Sequence, residues 1–164
     1  MSALIIKPLA DEDRDWVGRF IGERWGSDRV IVHGRTYHPA QMTGFLAMWK
    51  GEKVGLITYQ IEGEGCEIVT LDSACANQGV GSSLIETVKK AAQEAGCRRL
   101  WLITTNDNLH ALRFYQKRGF AMAALHRDAV QASRKIKPEI PLIGNDGIPI
   151  KDEIELEIAL NGQE

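Results

Sequence analysis

The residues whose types and spacing could do chemistry concentrate in one stretch, Leu71-Asp72-Ser73-Ala74-Cys75-Ala76-Asn77-Gln78-Gly79-Val80-Gly81-Ser82-Ser83-Leu84. It reads as strand, loop, glycine pair and helix. A glycine turn feeding a helix leaves several N–H groups directed out of the helix start, and the helix dipole adds to them, so the pattern can hold an anion such as phosphate. Gly79 and Gly81 equally suit a plain tight turn from strand to helix, and by themselves they do not choose. Two other phosphate binders are excluded. A P-loop needs Lys-Ser or Lys-Thr after its last glycine, and none follows Gly81. A dinucleotide fingerprint needs a third glycine where Leu84 stands.

Three further positions carry proton chemistry. Tyr115 has a phenol that stays protonated at neutral pH, with an ordinary pKa of about 10, and can still donate. Its spacing from Leu112, i and i+3, also suits a core aromatic. Glu67 lies four residues before Leu71 and so on the same strand face, whereas Asp72 has the opposite parity. A solvated edge carboxylate is an equal reading of Glu67. His33, His38, Arg24 and Arg35 are polar residues of a kind that is commonly surface. Arg134-Lys135-Ile136-Lys137 is a short basic run, either an anion contact or a solvated face. Cys75 lies beside the glycine loop without an adjacent base and reads as a small filler.

The elements that must position these residues follow from periodicity. Leu4–Lys7 is a short strand ended by Pro8. Acidic residues at 11–13 open a helix in which Trp16, Val17, Phe20, Ile21 and Arg24 keep helical spacing, with Gly26 as its stop. Val30-Ile31-Val32 suits a strand, and the rest of 27–42 reads as loop. Thr43–Trp49, Val54–Ile61 and Cys66–Leu71 form an antiparallel meander joined by polar turns. Ser82–Ala95 is the clearest amphipathic helix, with Leu84, Ile85, Val88, Ala91, Ala92 and Ala95 on one face. Then come a buried strand at Arg99–Thr105, a helix at Asn108–Arg118 and a strand at Phe120–His126. Residues 129–151 form a long connection of the kind used as a lid or binding loop, with a short helix in its first part. Ile154–Leu160 alternates strictly and is the last strand.

Set in that order, two separated segments resemble the GNAT superfamily of N-acetyltransferases. Ala76-Asn77-Gln78-Gly79-Val80-Gly81 resembles the family pattern Gln/Arg-x-x-Gly-x-Gly/Ala ahead of a helix. Asn108-Leu109-His110-Ala111-Leu112-Arg113-Phe114-Tyr115, followed by Gly119-Phe120, resembles Asn-x-x-Ala-x-x-Phe/Leu-Tyr with its later Gly-Phe. The family's Gln or Arg position falls on Ala76, and Gln78 stands two residues later. The resemblance implies an α/β (α+β) fold: one domain over 1–164, with a mixed, mostly antiparallel central sheet flanked by helices. It implies acetyl-CoA as acetyl donor, a primary amine as acceptor, and no metal. Backbone amides of Gln78, Gly79, Val80, Gly81, Ser82 and Ser83 would take the pyrophosphate, helped by the two serine hydroxyls. Backbone groups around Leu71 and Ser73, with the Asn108 side chain, would take the pantetheine amides. The Leu71 amide, where the family's fourth strand carries a bulge, would take the oxyanion. Tyr115 would protonate the leaving thiolate, and Glu67 would be the base, directly or through water. Ala76 favours a second reading, a non-catalytic acyl-CoA-binding sensor or assembly module.

Bulk properties agree with this frame. At 164 residues, 44% hydrophobic and 26% charged, the chain can bury a core without metal or disulfides. Its net charge of −2 gives no general attraction to nucleic acid or to an anionic membrane. The longest apolar run is six residues, Phe120–Leu125, far short of a bilayer span. Three cysteines without close pairing do not make a disulfide framework. A cytoplasmic protein is therefore expected, with no nucleic-acid or membrane partner; a homodimer is left open.

Overall fold

The structure, a computed structural model, describes residues 3–74 and 79–160. Gln78, expected at the pyrophosphate, lies outside the described residues, as do Cys75 and Ala76. In chain order the elements are β1 (Leu4–Pro8), α1 (Arg14–Trp25), β2 (Val30–Val32), β3 (Arg35–Tyr37), β4 (Thr43–Trp49), β5 (Glu52–Glu62), β6 (Gly65–Ser73), α2 (Val80–Glu94), β7 (Arg99–Thr105), α3 (Leu109–Lys117), β8 (Ala121–His126), α4 (Val130–Ile136) and β9 (Glu153–Ala159). The fold is α/β with mostly antiparallel strand pairing and four flanking helices, as the resemblance implies.

The chain divides into two compact units. The first is built from the chain up to Val30, His38–Leu100 and the end from Ala159. Its strands run in the order β1-β4-β5-β6, every pair antiparallel. The apolar stripe of α2 buries Val80, Leu84, Ile85, Val88 and Ala92. On β5 this face meets Gly55, where a Cβ would lie 2.5 Å from Val80 Cγ1, so only glycine lets the strand and the helix start approach this closely. α1 buries Val17, Phe20 and Ile21 and stops at Gly26, whose φ of 77° lies in the left-handed region glycine adopts without penalty. Just before α1, the Asp13 carboxylate accepts the Ala10 amide at 2.8 Å and pairs with Lys53 Nζ at 3.3 Å. The Ala10 N–H, helped by Lys53 and Lys7, holds its pKa below the ordinary 3.8 against the opposing effect of burial. Cys66 and Cys97 are buried free thiols. Burial, with Cys97 and Glu67 adding, pushes the Cys66 thiol up to about 12; burial raises Cys97 as well.

β6 departs from simple alternation. Thr58 of β5 faces Thr70 and Tyr59 faces Ile68, so Val69 is an extra residue. Such a bulge inverts the parity of the strand on one side of it. Leu71 lies opposite Ile57, while Glu67, Thr70 and Asp72 lie opposite Gln60, Thr58 and Leu56. Glu67 therefore shares a face with Asp72, not with Leu71, and the parity expected from the sequence is corrected. The Thr58 and Thr70 hydroxyls hydrogen-bond across this face at 2.7 Å.

The second unit comprises Ile31–Tyr37 and Trp101–Ile158. Its strands lie in the order β7-β9-β8, with β8 antiparallel to β9. The short pair β2-β3 corrects the expectation of loop over 35–37. His33 and Gly34 between them have φ of 52° and 74°, the two left-handed residues that a tight hairpin turn requires. β8 is an edge strand on which Met122 and Leu125 are exposed. The long connection after α4 folds back on itself, with Gly144 N donating to Ile148 O and Ile150 N to Leu142 O. Arg134 holds it by donating to the carbonyls of Ile140, Pro141 and Ile150, so this residue of the basic run is a clamp. Asp107 holds the turn from the other side: its carboxylate accepts the Asn145 amide at 3.0 Å and Asn145 Nδ2 at 3.1 Å.

Candidate functional site

In the first unit, Gly79 is exposed, has φ of 71° and stands as the N-cap of α2. The first intrahelical bond is Ser83 N to Gly79 O at 3.0 Å. The Ser83 amide is thereby engaged within the helix. The amides of Val80 and Gly81 precede that bond, in the turn where helix geometry supplies no carbonyl. Gly81, Ser82 and Ser83 are half-buried, and Thr87 Oγ1 donates to Ser83 O at 2.8 Å, closing the first turns of the helix. This end of α2 can hold an anion by main-chain donors and the helix dipole.

The strand leading to it ends in half-buried Leu71, Asp72 and Ser73. Ala74 N donates to Val54 O at 2.7 Å and ties this end to β5. Asp72 accepts a hydrogen bond from Trp25 Nε1 at 3.0 Å. Burial raises its pKa above 3.8, and the Trp25 bond and the Arg24 charge oppose that rise. Sequence parity had set Asp72 aside; its carboxyl lies in the last part of β6, bonded to Trp25 and perturbed by burial. Glu67 is 5% exposed. Arg24 lies over the Phe20 ring at 4.7 Å, and in the second unit Arg35 lies over the Tyr37 ring at 5.4 Å, so both guanidinium groups are stacked on aromatics.

In the second unit, Asn108 is the N-cap of α3. Its Oδ1 accepts the Ala111 amide at 3.1 Å, and its Nδ2 donates to Thr104 Oγ1 at 3.1 Å. An amide nitrogen has two hydrogens, so one donor remains for a ligand while the oxygen caps the helix. Tyr115 is 7% exposed, and its ring meets the Phe114 and Phe120 rings edge-on, each at 5.3 Å. The packing explains the Gly-Phe that follows: Gly119, with φ of 96°, ends the helix and turns Phe120 back onto Tyr115. Four residues that sequence reasoning did not bring together also meet in this unit. His33 pairs with Glu153, and His126 with Glu155. Among the described residues, no group of three or more His, Cys, Asp or Glu is arranged to hold a metal ion. Among them, too, no helix is long and apolar enough to cross a membrane.

Comparison with known proteins gives this arrangement a context. Residues 10–120 match the model of the acetyltransferase (GNAT) family. The uncharacterized protein YxbD of Bacillus subtilis (strain 168) is 41% identical over 152 residues, covering 92% of this chain and 96% of that protein. Among solved structures, the IAA acetyltransferase of Bacillus cereus ATCC 14579 superposes with a TM-score of 0.73 at 21% identity, over 96% of this chain and 100% of the other. A GNAT family acetyltransferase from Elizabethkingia anophelis with acetyl-CoA bound gives 0.68 at 20% identity, over 96% and 98%. An open glycine turn ahead of α2, the capped and aromatic-packed α3 and these likenesses lead to one conclusion: the chain belongs to the GNAT acetyltransferase family.

Proposed function

We propose that the protein is a cytoplasmic N-acetyltransferase that moves the acetyl group of acetyl-CoA to a primary amine. The observation that carries this reading is the exposed, left-handed Gly79 opening α2, in a chain of this family. The acetyl-CoA bound to the Elizabethkingia relative supports the choice of donor. Gly79, Val80 and Gly81 take the pyrophosphate through main-chain N–H groups, with the Ser82 and Ser83 hydroxyls beside them. Leu71 and Ser73 offer backbone groups to the pantetheine and the oxyanion. Asn108 offers its remaining amide hydrogen to the pantetheine. The Tyr115 hydroxyl donates the proton that the sulfur takes as it leaves. Glu67, the base that the resemblance implies, is deeply buried on β6, which leaves it only a water-relayed route to the amine.

Tyr115→Phe with a panel of primary amines is the test. The ring and its contacts with Phe114 and Phe120 are kept, and only the donor is removed. A thiolate whose conjugate acid has a pKa of about 8.5 can leave unassisted, so kcat falls moderately, by about tenfold, at the low side of general-acid effects. The loss grows at high pH, where solvent is a poorer proton source. The affinity for acetyl-CoA, read by calorimetry, stays as in the wild type. Full kcat in the variant removes Tyr115 from the reaction. A wild-type protein that binds acetyl-CoA and acetylates no amine turns the reading to a non-catalytic acyl-CoA-binding module.

A further inference from the structure

We propose that His33 is the catalytic base that takes the proton from the acceptor's ammonium group, and that Glu153 is the positioning residue that orients its ring. This rests on the acetyl-transfer reading above. His33 is bound to the carboxylate of Glu153 twice: its backbone N–H donates to Oε2 at 3.0 Å and its ring Nδ1 lies 2.9 Å from Oε1. The Glu153 side chain is 3% exposed and that of His33 48% exposed. A carboxylate only accepts, so Nδ1 carries the hydrogen, and in the neutral ring the lone pair is on Nε2, on a side chain that is half open to solvent. A buried acid that orients and fixes the tautomer of a more exposed imidazole is the arrangement that makes histidine a base.

The surroundings agree. His126 presents its ring to His33 at 4.6 Å between centroids, 60° apart, and its own Nε2 is held by Glu155 Oε1 at 3.0 Å. From α4, Ser133 Oγ accepts the Gly34 amide at 3.4 Å. The Asp152 carboxylate is turned to the Asp128 amide at 2.8 Å. His33 and its turn thus meet Glu153 from β9, His126 from β8 and a neutral hydroxyl from α4, and Glu155 of β9 holds His126.

The dyad is also anchored to the start of α3. Asn106 N donates to Asp152 O, and Asn106 Oδ1 accepts the amides of Lys151 and Asp152, each at 3.0 Å. Glu153 follows this junction directly, and Asn108 stands two residues beyond Asn106. The base is therefore fixed to the same junction from which Asn108 and Tyr115 are launched. A turn with φ of 52° at its first position is ordinarily filled by Asn, Asp or Gly, and a buried carboxylate carries a desolvation cost. Placing a histidine and a glutamate here offsets both only through the pair they make. Glu67, at 5% exposure, has no comparable access to an amine.

The step balances as follows. His33 Nε2 takes one proton from the ammonium, leaving a neutral amine. Its nitrogen forms the C–N bond to the thioester carbonyl carbon, and the carbonyl electrons move to oxygen. The C–S bond then breaks as the carbonyl reforms, the sulfur takes the Tyr115 proton, and the nitrogen gives its second proton back to Tyr115 through solvent. The proton on His33 passes to bulk water, so each turnover yields amide, free thiol and one proton.

The test compares kcat/KM against pH for wild type, His33→Asn and Glu153→Gln, with acetyl-CoA and two acceptors, a primary alkylamine and an arylamine that is already neutral at pH 7. Asn tolerates the left-handed turn; His33→Gln is the second variant should His33→Asn fail to fold. Unchanged acetyl-CoA affinity by calorimetry reports an intact donor site. The expected result is a loss at pH 7 of at least about a hundredfold with the alkylamine, a rising limb that climbs to the amine's own ionisation, and little change with the arylamine. In Glu153→Gln the amide can donate to Nδ1, so the wrong tautomer forms and the same limb is displaced. His126→Gln, which leaves the Glu153 contacts in place, keeps the wild-type limb. A wild-type limb in folded His33→Asn overturns the dyad while the acetyl-transfer reading stands. Equal losses with both amines overturn it in favour of a structural role. Absence of wild-type transfer to any amine overturns both.

Discussion

Adding a single carbon at Gly55 measures how tightly the start of α2 is fixed. A Cβ there would lie 2.5 Å from Val80 Cγ1, 3.3 Å from Leu84 Cδ1 and 3.4 Å from Ala47 Cβ. Carbon atoms rest at about 3.5–4.0 Å, so roughly 1 Å must open between β5 and the first residue of α2. Val80 and Leu84 are fully buried and cannot swing aside. Overpacking of this kind costs about 1–3 kcal/mol, and replacing glycine returns about 0.4–1 kcal/mol through the unfolded chain. Gly55→Ala should therefore lose about 1–2 kcal/mol, read as a lower urea midpoint with an unchanged slope. The same shift moves the Val80 and Gly81 amides, so acetyl-CoA binding weakens by about tenfold, or 1.4 kcal/mol. Val80→Ala in the same chain removes the clashing carbon and restores part of both quantities, a coupling that a double-mutant cycle isolates. If Gly55→Ala keeps its midpoint and its affinity, or Val80→Ala gives no rescue, the close approach does not position the anion site.

Two further outcomes are expected. The depressed pKa of Asp13 means its stabilisation is complete above the ordinary 3.8 and disappears as pH falls through the lower folded value. The gap in urea midpoint between wild type and Asp13→Asn is therefore widest well above pH 3.8 and narrows as pH falls below it; a gap that persists in strong acid contradicts this. Asp107→Ala removes the acceptor of Asn145 N and Nδ2 and of Thr105 Oγ1. Limited proteolysis between residues 138 and 150 should then quicken several-fold, and equal rates would show that Arg134 alone holds the segment.

Much of the fold was legible because its cues are local. The α2 stripe and the glycines at 26, 96 and 119 lie within single elements, and the meander from β4 to β6 announces itself by short polar turns. What was hidden depends on partners distant in sequence. The bulge at Val69 sits in a run, Cys66–Thr70, that is buried throughout, so exposed and buried positions do not alternate there and the parity of Glu67 was misread. β3 is three residues long and pairs only with β2, too little for periodicity to register. His33 and Glu153 are 120 positions apart, and nothing near either predicts the other. Asn108 shows the opposite case: its capping bond to Ala111 is three residues long and could be read directly.

The two buried thiols bear on the product of the proposed reaction. Acetyl transfer would liberate one coenzyme A thiol per cycle, and such thiols oxidise to disulfides that protein thiolates attack. Exchange requires a thiolate. With its pKa pushed to about 12, Cys66 is ionised in roughly one molecule in 10⁵ at pH 7, and burial raises Cys97 as well. Neither cysteine can form a mixed disulfide with the spent coenzyme at an appreciable rate while the core is folded. The first unit thus holds two sulfurs that stay out of thiol–disulfide exchange while its core is folded.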